Sequence, residues 1–181
     1  MKIATRFLLL LSLAALSACQ KETVEPAETA DFVPGELLVG LKDGVPITRA
    51  FRLADSLSFD IKQMSGFFYN SGLPKDSVAY VKRVLLSKPY LNKKGFTGDA
   101  VYFNTVDNKI RITDFFFDMD VASQQDWIST MQQLQLTSLN AAANMQLKVP
   151  IGSEKYWLTE VRKNCIVRWT ELNGIGLIKL L

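Results

Sequence analysis

The chain contains no histidine, which removes Ser-His-Asp and Cys-His catalysis, the HExxH zinc motif and every imidazole general base. Two cysteines, Cys19 and Cys165, are too few to build a zinc site without imidazole partners. A cation would need carboxylates. Asp114, Asp118 and Asp120 cluster, but the run lacks the glycine and the distal glutamate of a calcium loop and reads as solvated charge at a strand end. Carboxylate pairs can also run glycoside hydrolysis, one acid protonating the leaving oxygen while the other attacks or activates water. Glu36, Glu154, Glu160 and Glu171 are available for it, and no spacing singles out a pair. Gly174-Ile175-Gly176 lacks the third glycine and the following helix of a phosphate-binding fingerprint, so it reads as a flexible turn. No cofactor is implied, and the sequence points away from an enzyme.

Binding surfaces are the other chemistry on offer. Lys93-Lys94 and Arg162-Lys163 are isolated basic pairs, not a phosphate track, which argues against nucleic acid as a partner. Aromatic residues concentrate in Phe67-Phe68-Tyr69, Phe115-Phe116-Phe117, Trp127, Tyr156-Trp157 and Trp169. Most belong to a core or an internal contact. Successive side chains of a strand face opposite ways, however, so Phe115, Phe116 and Phe117 cannot all be buried on one sheet face. At least one must be exposed or covered by another part of the chain, and an exposed one marks a protein or carbohydrate surface.

The first residues decide where this chemistry takes place. Lys2 and Arg6 form a positive start, and residues 7–16 an apolar run too short for a permanent bilayer span. Leu16-Ser17-Ala18-Cys19 then resembles a bacterial lipobox. The resemblance implies removal of residues 1–18, a diacylglyceryl group on the Cys19 sulfur and acylation of the new terminus. Two or three acyl chains, at about 0.8 kcal/mol per buried methylene, hold a protein on a membrane almost permanently. The formal charge of +3 falls to about +1 once Lys2 and Arg6 leave. Cys165 is left without a disulfide partner and, lying in the apolar run Cys165-Ile166-Val167, reads as a buried, inert thiol. Residues 19–33, rich in Glu, Thr, Ala and Pro, read as a tether. Its Gln20-Lys21-Glu22 is similar to the signal that sends some Gram-negative lipoproteins to the outer face of the outer membrane, and reads equally as a polar stalk. The implied location is the outer membrane or cell envelope, facing periplasm or exterior.

The elements that must position any site follow in order. Glu36-Leu37-Leu38-Val39-Gly40-Leu41 reads as a strand between Pro34-Gly35 and Asp43-Gly44. Pro46 opens a helix with Ile47, Ala50, Phe51, Ala54 and Leu57 on one stripe. Residues 60–73 predict a hairpin broken at Ser65-Gly66. A second helix, capped by Asp76 or Ser77, carries Val78, Val81, Val84 and Leu85 and ends before Pro89. Residues 98–119 alternate as two strands around Val106-Asp107-Asn108. Ser123 with Asp126 resembles a capping box for a helix bearing Trp127, Ile128, Met131 and Leu134. A strand over 144–149, a helix capped by Ser153 and a strand over 165–172 complete the series.

Shifted by about 76 positions, Leu73-Pro74 through Val81 lies on Val149-Pro150 through Trp157 with Pro, Ser and Tyr matched. At about the same shift Ala50, Phe51, Ala54 and Leu57 fall on Trp127, Ile128, Met131 and Leu134. This predicts an α+β fold of two tandem ferredoxin-like (split βαβ) halves, 34–105 and 106–181, with antiparallel sheets and helices on one face. Pro34-Gly35-Glu36-Leu37-Leu38-Val39-Gly40-Leu41-Lys42 resembles the opening strand of subtilisin-type propeptides and the related inhibitors. Members of that family chaperone a protease and block its cleft with the segment after their last strand. Transferred here, Gly174, Ile175, Gly176 and Leu177 would face the partner, although no protease follows in the chain. The expected function is therefore a membrane-anchored envelope lipoprotein that binds another envelope or extracellular protein without catalysis. Inhibition of a subtilisin-like protease is one form of it, and a small carboxylate-dependent glycan hydrolase or a structural envelope component are the alternatives.

Overall fold

The computed structural model describes residues 31–92, 101–139 and 141–175. Residues 1–30, with the lipobox, Cys19 and most of the tether, lie outside them, as do Gly176 and Leu177. The described body is α+β, with one antiparallel sheet. In chain order it runs β1 (Phe32–Leu41), α1 (Ile47–Ser56), β2 (Asp60–Ser71), a 3₁₀ turn at Lys75–Ser77, α2 (Val78–Leu86), α3 (Pro89–Asn92), β3 (Val101–Asn104) and β4 (Lys109–Met119). It continues through α4 (Val121–Gln133), β5 (Leu136–Ser138), β6 (Asn144–Lys148), α5 (Glu154–Arg162) and β7 (Val167–Gly174).

Alternation divides each strand between two faces. Leu37, Val39 and Leu41 of β1, Met145 and Leu147 of β6, and Ile110, Ile112 and Phe116 of β4 are buried. They form one cluster with Ala50, Phe51 and Ala54 of α1, Val81 and Leu85 of α2, Trp127 of α4 and Val161 of α5. All four of these helices therefore cover the same side of the sheet. The intervening strand residues, Leu38, Gly40, Gln146 and Phe115 among them, point to the other side. Burying an aromatic removes a large apolar surface from water, and Trp127 does so at the centre. Its ring meets Phe116 edge-on at 4.8 Å and Tyr69 at 5.5 Å between centroids.

Strand order is β3-β4-β2-β6-β1-β7, with β5 also paired to β2. Two split βαβ paths can be traced through it. β1-α1-β2 and β6-α5-β7 interleave as β7-β1-β6-β2, while β2-α2-β3 and β4-α4-β5 interleave as β5-β2-β4-β3. Strand β2 serves both. Asp60 to Ser65 pair with β6, and Tyr69 to Ser71 pair with β5. The expected halves 34–105 and 106–181 thus do not each hold a sheet of their own: β1 and β2 from the first span pair with β6 and β7 from the second. The repeated sequence pattern is local to single helices, and local periodicity carries no information on which strands pair.

Several local expectations also change. Residues 60–73 do not turn back at Ser65-Gly66; Asp60–Ser71 form one long strand with bulges. Its core-facing residues Ile61, Met64 and Phe67 are three apart, and register shifts fall in both intervals. Gly66 is required at the second, because its φ is +82° and an added Cβ would sit 2.5 Å from the Ala142 carbonyl oxygen. Asp120, not Ser123, caps α4, its carboxylate accepting the Ser123 N–H at 2.7 Å. That frees Asp126, which accepts from Lys88 Nζ at 2.9 Å and Tyr90 Oη at 2.7 Å and ties α4 to the α2–α3 corner. Cys165 is exposed in the turn before β7, not buried, and Arg49 Nη2 donates to its sulfur at 3.6 Å.

Candidate binding face

At the start of β1, Gly35 takes a positive φ of 76° and its N–H donates to Glu154 Oε1 at 2.7 Å. Glu154 is the first residue of α5, so one carboxylate joins the strand entry to the positive end of a helix. Burial raises its pKa, but the N–H groups of Gly35, Glu154 and Gly152 more than offset this and the carboxyl is held below its ordinary value. The next residue, Glu36, points to the uncovered side. Its carboxylate accepts from Lys62 of β2, Gln146 of β6 and Asn173 of β7, so a single side chain links four strands. Burial again pulls upward, and the bonds from Lys62 and Asn173, the Lys62 charge and the Gln146 amide win, leaving Glu36 low.

Beyond Glu36 the same side bears a shallow depression of about 270 Å³, lined by Leu38, Gln63, Ser65, Asn144, Gln146 and Trp169. Gly40 and Trp169 are register partners across β1 and β7, and the indole occupies the space a side chain at Gly40 would take. Further along, towards the β3 edge, Tyr102, Phe68 and Phe115 are 46%, 37% and 57% exposed. Phe116 is buried in the helix-covered core, whereas Phe115 and Phe117 share the other side as strand alternation requires, Phe115 exposed and Phe117, the register partner of Gln63, buried there. Between these aromatics Asn70 and Arg111 are register partners, and Arg111 pairs with Asp107.

The other sequence candidates scatter. Gly174 ends β7 and Ile175 donates its N–H to the Asp31 carbonyl at 2.9 Å, which places the last described residues beside the first. Glu160 pairs with Lys163 at 2.6 Å, and Glu171 is exposed opposite Leu38. Asp118 lies 3.8 Å from Lys148, and Asp120 is spent on its helix cap. Among the described residues, no group of three or more Cys, Asp or Glu is placed to hold a metal ion, and no helix is long and apolar enough to cross a membrane. Sequence reasoning missed the Trp169–Gly40 pairing and the Glu36 cluster. The polar alternation of Asn144, Gln146 and Lys148 around Met145 and Leu147 was the available sign of a solvent-facing side.

Fold and surface together define an α+β protein with a single antiparallel sheet, helices packed on one side and a mixed aromatic and amide surface on the other. Compared with family models, curated proteins and solved structures, the chain matches none.

Proposed function

We propose that the chain is a lipid-anchored protein of the bacterial envelope, held by Cys19, whose body is a non-enzymatic protein-binding module of ferredoxin-like plan. The supporting observation is the uncovered sheet side, where Phe68, Tyr102 and Phe115 stand exposed while every large helix packs opposite. Exposed aromatics on one side of a rigid sheet are the usual anchors of a protein contact. Catalysis by carboxylates gains no support from Glu36 and Glu154, both held below their ordinary pKa, whereas a general acid for glycoside cleavage needs one raised. A photo-crosslinking residue in place of Phe115 or Tyr102, in intact cells, is expected to yield one discrete protein adduct, and the same residue at Val106 none. Absence of any adduct at the sheet positions overturns the binding role. Replacing Cys19 with Ala is expected to release the protein from membranes. Slowing of a subtilisin-like protease, lost when residues 174–181 are removed, would specify the partner class.

A further inference from the structure

We propose that the depression beside Trp169 is a second, separate binding site, for a neutral oligosaccharide. It rests neither on the lipid anchor nor on the aromatic protein contact. A Cβ built on Gly40 would lie well inside contact distance of Nε1, Cε2 and Cδ1 of Trp169, nearest the Nε1–Cε2 bond. A point that close to three atoms of one ring sits over the ring's face, not at its edge. The indole therefore lies flat on the sheet, with one face against Gly40 and the other turned away from it, and only glycine at residue 40 permits this. Flat aromatic faces set into a strand surface are the platforms on which the C–H side of a pyranose stacks, through the same attraction of polarised hydrogen for a negative ring face that governs aromatic pairs.

The surrounding side chains supply the other half of sugar recognition. Gln63, Asn144 and Gln146 occupy neighbouring positions on β2 and β6, with Ser65 opposite Asn144. Gln146 Nε2 is fixed by Glu36, which orients its amide, and Gln63 and Asn144 have no side-chain hydrogen bond within the described residues. Planar amides offer a donor and an acceptor side by side, the pattern that adjacent hydroxyls or an acetamido group complement. No lysine or arginine lines the depression, and the exposed Glu171 is the register partner of the lining residue Leu38. That disfavours phosphate, nucleic acid and acidic glycans and selects an uncharged ligand. At about 270 Å³ the space is below the ~300 Å³ usual for an enclosing small-molecule pocket, which suits a chain lying across the surface with one or two residues seated.

The test is titration of the mature, full-length chain, in a detergent without a sugar headgroup, with cellohexaose, mannohexaose and chitohexaose, and with hexagalacturonate as the acidic control, read by calorimetry and tryptophan fluorescence. At least one neutral hexamer is expected to bind saturably at millimolar concentrations or below, with about a tenfold or greater loss of affinity in Trp169→Ala. Should Trp169→Ala fail to fold, the double variant Gln63→Ala/Asn144→Ala, altered only at the surface, is expected to show the same loss. The proposal is overturned if no neutral hexamer binds, if the acidic control binds as well as the neutral ones, or if the folded variants bind as the parent does. Phe115 crosslinking is unaffected by any of these outcomes, so the two readings fail separately.

Discussion

Replacing Glu36 with Gln keeps the side chain's shape and removes its charge at the point where β1, β2, β6 and β7 are joined. The Glu36 side chain is 11% exposed, and its carboxylate accepts from Lys62, Gln146 and Asn173. Hydrogen bonds to a charged group contribute roughly 1.5–3 kcal/mol each net of competition with water, and they do not add. The Lys62 side chain is 43% exposed, so screening reduces that pair to about 0.5–1 kcal/mol. A glutamine can still accept from one amide but presents its NH₂ to the other donors. The net loss is about 2 kcal/mol, a large share of the ~5–15 kcal/mol by which domains are stable. Urea unfolding, followed by tryptophan fluorescence, is expected to show a midpoint lower by about 1 M at an ordinary m-value. The pH dependence provides a second reading. Because the folded pKa lies below the ordinary 4.5, the unfolded chain binds more protons between the two values. The stabilisation from Glu36 is therefore present above about pH 4.5 and is lost as the pH falls through the folded value. The gap between parent and Glu36→Gln should be constant near neutrality and close in acid. A gap under about 0.5 kcal/mol at neutral pH, or one that persists unchanged into acid, would refute the assignment of Glu36 as a charged cross-strand tie.

Three further outcomes follow from other contacts. Gly66→Ala, with a positive φ and a backbone oxygen 2.5 Å from the new carbon, should lose about 2–4 kcal/mol in the same denaturation assay, whereas Gly152→Ala, with open space around it, should lose only the smaller strain of its own φ. Trp127→Ala should lose about 3–5 kcal/mol, because a fully buried ring contacting Tyr69, Tyr90 and Phe116 leaves a cavity its neighbours cannot fill. Asp126→Asn should lose about 0.5–1 kcal/mol, discounted because the side chain is 46% exposed, and should raise hydrogen exchange at the α2–α3 corner before it affects β1.

Helix α1 was legible because Ile47, Ala50, Phe51 and Ala54 repeat with the helical period, and all four are buried. The turn around Asn108, which takes a φ of 54°, was legible for the same local reason. Strand β5 was not, since Leu136-Thr137-Ser138 has too few residues to show an alternation and exists only because β2 offers it an edge. The burial of Cys165 was misjudged for a related reason: an apolar neighbourhood in sequence, Ile166 and Val167, became buried while the turn left the thiol outside.

Alone, then, the order of residues determined what depends on neighbours within a turn or two of chain. It set the α+β class, the helix stripes, the two-sided character of the strands and a chemistry without imidazole. Tertiary structure decided what depends on residues distant in sequence. It joined both halves into one sheet through β2, set Glu36 against Gln146 and Asn173, and laid Trp169 over Gly40. The physical reason is that strand pairing is made by backbone hydrogen bonds common to every residue, so the choice of partner is settled only when all the apolar faces are buried together.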